Sequence, residues 1–374
     1  MKFRISSTLL SNRLQTLSRV INNKNATLIL NCFLFAVKDG QLTVIASDNE
    51  NVMQSTLPLD ECDGECEFCV EHRTVLSVKE LPEQPLDIDV NMDEHVMNVN
   101  YQNGQYNFPV ISAEEYPRPT GVDENEAITI TADAGRLNDN ITRSLFATAQ
   151  DELRPVMNGI YFDITKDYLA VVATDGHKLV RNRDYSVHSD VSASFTLPKK
   201  PATLLKGVLA SDGSDVVVKF DSKCATFNYA DGKLQCRLIE GRFPNYNSVI
   251  PENNPNQITI DRKSLVGALR RVLPFASDSS QLIRFQVEFG KVELRAEDID
   301  FSTKAVESIV CSYTGNPMSI GFKGSGMLEI LNNLDSDDVL IELADPSRSG
   351  LIEPVTQPEN VDVLMLIMPM LLND

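Results

Sequence analysis

Residues 173–180 read ATDGHKLV, with a carboxylate and an imidazole flanking a glycine at the end of an apolar run. Taken alone, Asp175 and His177 look like the lip of an active site, with a sharp turn holding an acid/base pair. Two other stretches argue against that. ASDNENVM at 46–53 and AEDIDFST at 296–303 place the same acidic step after the same kind of β-rich hairpin. A catalytic pair needs no relatives that lack its histidine at the same place in a repeat. A strand end and a turn therefore account for Asp175 and Gly176, and His177 is left as a surface feature of the middle copy.

The repeat extends outward from these steps. Three amphipathic segments, STLLSNRLQTLSRVINN, DAGRLNDNITRSLFATA and DRKSLVGALRRVLPFAS, begin at 7, 133 and 261, that is 126 and 128 residues apart in a 374-residue chain. Each opens on a residue able to cap a helix (Ser7, Asp133, Asp261) and carries leucines at three-to-four spacing. Hairpins follow from Phe33, Gly159 and Leu282, and then a strand leading into a second short helix in CEFCVEHRTVLSVKEL, SFTLPKKPATLLKGVL and MSIGFKGSGMLEILNNL. Breaks fall in PRPTGVDENE and PENNPNQ, which are rich in turn-forming residues. Three matches of helix–hairpin–strand–helix–strand order at one period imply an α+β protein of three like domains, at 1–121, 127–251 and 257–374.

Apolar content of 42% and charged content of 23% are those of a globular protein. The opening MKFRISSTLLSNRL lacks the apolar core of a signal peptide, and the run VLMLIMPMLL, broken by Pro369, is too short to span a bilayer. A cytoplasmic protein with no membrane partner is expected, and seven cysteines then suit reduced thiols. The net charge of −19 argues against nucleic acid only if it is evenly spread. The six helical windows (7–24, 71–81, 133–149, 197–208, 261–277 and 322–333) together carry +9, against −28 for the remainder. If the helices share a face, that face is basic and offers Lys and Arg to phosphates without reading sequence.

The motifs that would make this an enzyme are weak. Cys62, Cys66 and Cys69 have an iron–sulfur-like spacing with His72 nearby, but the repeat places them on a strand, where Cys66 and Cys69 point to opposite faces. His72, His95, His177 and His188 have no nucleophile in a strand–elbow–helix setting, and GFKGSGM lacks the spacing of a phosphate loop. No catalytic residue, metal or cofactor is expected. An enzyme built on Asp175/His177 or on the cysteine cluster is the alternative reading.

The three-unit acidic chain, its basic helices, and the strings ATDGHKLV, LIEGRFPNYNSVIP and LMLIMPML together resemble the bacterial sliding clamps, the β subunits of DNA polymerase III. The likeness runs from MKFRISSTLL to the C-terminus. It implies the DNA clamp fold, with two chains closing head to tail into a six-domain ring, helices lining the hole and sheets forming the wall. Duplex DNA would be encircled without sequence preference. A clamp loader, the replicative polymerase and other replication or repair proteins would be tethered through a peptide pocket where the middle and last domains meet.

Carried over position by position, the resemblance assigns that pocket Met157, Thr174, Gly176, His177, Lys178, Leu179, Pro244, Val249, Ser349, Leu366, Ile367, Met368, Pro369, Met370 and Leu371. Lys178, Asn247, Ser248 and Leu371 stand where arginines are frequent, so a less basic pocket is expected. Lys24 and Arg73 are assigned to DNA, and Tyr106 and Phe108 to a ring joint with Pro274 and Phe275 of the partner chain.

Overall fold

The computed structural model describes residues 1–22, 27–118 and 120–372; Lys24 lies outside the described residues. Helices recur at the expected places: α1 (Ser7–Ser18), α2 (His72–Val75), α3 (Ala134–Leu145), α4 (Lys199–Lys206), α5 (Arg262–Val272) and α6 (Gly324–Asn332). The caps of the last two long helices are those expected, since Asp133 accepts from the Arg136 amide at 2.8 Å and Asp261 from the Ser264 amide at 2.7 Å.

Helix α1 differs. Its cap is Ser6, whose hydroxyl accepts from the Leu9 amide at 3.1 Å, while the Ser7 hydroxyl donates to the Pro82 carbonyl at 2.8 Å and is buried. Helix α5 stops at Val272 because Pro274 cannot extend it, and the chain continues as a 3-10 turn over Leu273–Phe275. Helix α2 is a single turn that passes into a 3-10 stretch, Leu76–Glu80. The β-branched Thr74 and Val75 of α2, and Val78 of the 3-10 stretch, are poor helix formers.

Each expected hairpin is a three-stranded meander. The strands are Cys32–Lys38, Gln41–Ser47 and Asn51–Pro58; Gly159–Ile164, Leu169–Thr174 and Lys178–Asp184; and Leu282–Glu288, Lys291–Asp298 and Thr303–Val310. The acidic step is the turn between the second and third strands, and the three copies have the same chemistry. One oxygen of Asp48 accepts the amides of Glu50 and Asn51 at 3.0 and 2.7 Å. One of Asp175 accepts those of His177 and Lys178, each at 2.9 Å, and one of Asp298 accepts those of Asp300 and Phe301 at 2.9 and 3.1 Å. Each carboxylate thus stands in for a missing backbone acceptor, the usual work of Asp in a turn.

The chain forms two compact units, 1–138 with 200–238, and 139–199 with 239–374. In the first, a thirteen-stranded antiparallel sheet includes the pairing of Gly232–Arg237, from the middle repeat, with Asn51–Pro58 from the first. In the second, an eight-stranded sheet pairs Val361–Ile367, from the last repeat, with Lys178–Asp184 from the middle one, beside a separate four-stranded sheet. The closing strand of one repeat therefore extends the meander of the repeat before it, which covers two strand edges that would otherwise be open. In the second unit α5 and α6 bury Leu265, Leu269, Val272, Met327, Ile330 and Leu331 against these sheets. Each such side chain contributes about 1.5–3 kcal/mol when fully buried.

Two stability predictions follow from these bonds. Asp298→Ala should cost about 1–3 kcal/mol by leaving two turn amides without their acceptor, while Asp298→Asn, which keeps the accepting oxygen, should lose much less in thermal unfolding. Equal losses in both variants would mean that charge, not the turn bonds, stabilises the site. On the eight-stranded sheet, burial and the neighbouring carboxylates of Asp362 and Glu342 push the Glu353 carboxyl up to about 7, with Arg181 opposing them. A raised acid pKa stabilises the fold below the unfolded value near 4.5, and that contribution is lost as pH rises towards 7. The melting temperature of Glu353→Gln should therefore gain on that of the native protein between pH 5 and pH 8.

Candidate functional site

The ATDGH turn is built by its own side chains. Gly176 has φ +90°, which a side chain would strain. The Thr174 hydroxyl donates to the Lys178 carbonyl at 2.8 Å and accepts from the Gly176 amide at 3.1 Å. Asp175 is half-buried, which by itself pushes its carboxyl up. The Lys178 ammonium at 2.6 Å and the two turn amides more than offset this and hold it below the usual carboxylate range. Its bond to His177 goes to the backbone amide, not to the ring. Asp175 is thus an ionised turn-former whose oxygens are taken up, and it has no proton to exchange with an imidazole.

Strand pairing sets what lies beside the turn. Leu179 sits opposite Leu366 and Val180 opposite Met365, so Leu179 and Leu366 share one sheet face while Val180, Met365 and Ile367 face the core. The segment 243–250 crosses the first face. Phe243 stacks on Tyr161 with ring centroids 4.5 Å apart, and the Tyr246 hydroxyl donates to Asp163 Oδ2 at 2.8 Å. The backbone amide of Met368 donates to the His177 carbonyl at 2.8 Å and ties the end of the chain to the turn.

These elements enclose an apolar cavity of about 250 Å³. Of the residues expected there, Met157, Thr174, Gly176, His177, Lys178, Leu179, Pro244, Val249, Ser349, Leu366 and Met368 line it. Ile367, Pro369, Met370 and Leu371 do not. Strand alternation turns Ile367 into the core, the Met370 amide bonds to the Gly321 carbonyl on the neighbouring sheet, and Leu371 is exposed. Arg154, Asn245 and Tyr246 also line the cavity and were not expected. Tyr246 could have been anticipated as the aromatic of FPNYNSV; Arg154, in an irregular loop before Pro155, carries no such signal.

The other candidates separate. Among the described residues no three His, Cys, Asp or Glu side chains are grouped to hold a metal ion. Cys62 lies on strand Glu61–Asp63, whereas Cys66 and Cys69 lie on Cys66–Glu71; burial pushes the Cys69 thiol up to about 12. His72 is buried, with Nδ1 2.6 Å from the Asn31 carbonyl. Arg73 is exposed on α2. Several of the helix cations counted as basic surface are already paired: Arg13 with Asp231, Lys200 with Asp48, and Arg271 with Glu307. Tyr106 is half-buried, and Pro274 and Phe275 are exposed. Phe108, by contrast, is only 6% exposed and packs within its own unit, so it is not a free interface side chain.

Family models for the three domains of the DNA polymerase III beta subunit match in chain order. The N-terminal domain matches over 1–120, the central domain over 131–245 and the C-terminal domain over 247–371. The chain belongs to the DNA polymerase III beta subunit family. It is 25% identical over 373 residues to the beta sliding clamp of Pseudomonas putida, covering 99% of this chain and 100% of that one. It is 24% identical to that of Bacillus subtilis over 386 residues, covering 99% of each. The fold matches the DNA polymerase III subunit beta of Pseudomonas aeruginosa with a TM-score of 0.93 and that of Thermotoga maritima with 0.89, each at 24% identity over the whole of both chains. The protein is thus a DNA sliding clamp, a non-catalytic processivity factor of replication.

Proposed function

We propose that two copies of this clamp close head to tail into a ring around duplex DNA in the cytoplasm. The cavity beside the ATDGH turn takes peptides of the replicative polymerase, the clamp loader and other replication and repair proteins. Three domains, at 1–121, 127–251 and 257–374, serve as its segments. Among the described residues no helix is long and apolar enough to cross a membrane.

The observation that carries the ring is the pairing of strand edges. Two of the three meanders are extended by the closing strand of the next repeat. The third ends on Thr303–Val310, an edge strand of its sheet, and residues 104–109 of Gly104–Ser112 pair on one side only. The repeat supplies a register for joining them. Gly232, after the Tyr229 turn, corresponds to Gly104 after Tyr101, and the closing pair Ser47↔Val52 corresponds to Glu297↔Lys304. The observed pair Met53↔Leu234 then translates to Ala305 opposite Tyr106 of the partner subunit. The turn before this edge is two residues longer than its counterparts and carries Ile299 and Phe301, 85% and 79% exposed, which suits an interface.

DNA contact in this reading is topological and electrostatic. Lys24 and Arg73, the positions the family likeness assigns to DNA, would position the duplex without reading it.

Two outcomes test the proposal. The native protein should sediment at twice its chain mass of 41.5 kDa. Val306→Pro on the open edge, and Phe275→Glu, should give folded monomers with unchanged circular dichroism, since each acts at both joints of the ring. Persisting dimers in both would refute the joint. For the cavity, Leu179→Ala or Met368→Ala should weaken a fluorescent polymerase peptide by roughly tenfold, because each removes apolar area from the anchor site. Met370→Ala, outside the cavity, should change binding far less.

A further inference from the structure

We propose that an ion pair between Asp298 and the partner subunit's Arg73 locks each joint of the ring. This rests on reading two copies as closing head to tail. Asp298 is only 8% exposed, and its Oδ1 accepts the amides of Asp300 and Phe301. Among the described residues no Lys, Arg or His side chain pairs with it. A buried carboxylate without a cation is costly, which leaves a place for one from outside the chain.

The two internal joints show where such a cation stands. Asp48 and Asp175 hold the same place in their turns as Asp298, and each is paired. Lys200, in the first turn of α4, reaches Asp48 Oδ2 at 2.5 Å and donates to the Val20 carbonyl at 2.8 Å. Lys178, on the turn itself, lies 2.6 Å from Asp175 Oδ2 and 3.0 Å from Glu329 Oε2 of α6. In both joints one cation ties the acidic turn to the short second helix of the next repeat.

Strand register reduces the choice to two positions. Glu71, Pro198 and Lys323 pair with the first residues of their meanders, which makes Arg73, Lys200 and Ser325 equivalent. The pairs Ser47↔Val52, Thr174↔Leu179 and Glu297↔Lys304 make Asn51, Lys178 and Thr303 equivalent. Each internal joint has a cation in one of the two places, Lys200 facing the uncharged Asn51 and Lys178 facing the uncharged Ser325. At the ring joint Thr303 is uncharged, and Arg73 of the partner subunit fills the second place. Phe275 stands as far past its helix cap, Asp261, as Val20 past Ser6, so its carbonyl would take the second guanidinium bond.

The test is a double-mutant cycle with Asp298→Asn and Arg73→Gln in the full-length protein, the dimer dissociation constant being read by sedimentation over a dilution series. Asp298→Asn keeps the oxygen that accepts the turn amides, and Arg73 is exposed, so both variants should fold with unchanged circular dichroism. Each should weaken the dimer roughly tenfold or more, since the loss acts at both joints, and the double variant should be little weaker than either single one. High salt should weaken the native dimer more than the double variant. Losses that multiply in the double variant, or an Arg73→Gln protein that dimerises like the native one, overturn the pair and leave the ring standing. A native protein that stays monomeric at every concentration overturns the ring reading, and the pair with it.

Discussion

An antiparallel strand with an open edge must be paired, blocked or covered, and this chain meets that demand twice with one device. In the first two repeats the meander ends on a strand whose outer edge accepts the closing strand of the next repeat. Asn51–Pro58 takes Gly232–Arg237, and Lys178–Asp184 takes Val361–Ile367. Thr303–Val310 holds the same place in the last meander and is an edge strand of its sheet. In the proposed ring a second copy satisfies it, since among the described residues 104–109 pair on one side only and the outer edge of Thr303–Val310 is unpaired. A heterologous contact of this kind closes a ring only if its rotations sum to a full turn, and copies of one repeat unit at like joints make that closure natural.

The site follows from the same pairing. Where Val361–Ile367 joins Lys178–Asp184, alternation brings Leu179 and Leu366 to one face, and the crossing segment roofs them with Pro244, Tyr246 and Val249. The turn closing the meander supplies a wall, held by Asp175 acting as a backbone substitute. A motif that looks catalytic in isolation is therefore a corner of the scaffold. Its buried Lys178, locked between carboxylates, contributes an aliphatic stem to the cavity and no free charge.

Much of this was legible in the residues. The period of the helices and of the acidic steps, and with them the three meanders, can be read from capping residues, leucine spacing and alternation, because local physics dictates them. The cavity was largely legible through family likeness, yet strand phase moved Ile367 inward and a backbone bond drew Met370 to a neighbouring sheet. Phe108 shows the same limit, since its burial depends on partners distant in sequence. The charge on the helices was visible in composition. Its partial neutralisation by Asp231, Asp48 and Glu307 was not, because each of these carboxylates comes from a remote strand or turn.

The central claim, that the open edge of Thr303–Val310 is completed by a second copy, is tested most directly by amide hydrogen exchange at a series of protein concentrations. Residues 303–310 and 104–109 should be protected when the protein is concentrated and lose that protection together on dilution, while the internally paired Asn51–Pro58 and Lys178–Asp184 stay protected throughout. Fast exchange of 303–310 at every concentration, with the internal edges still protected, would contradict it.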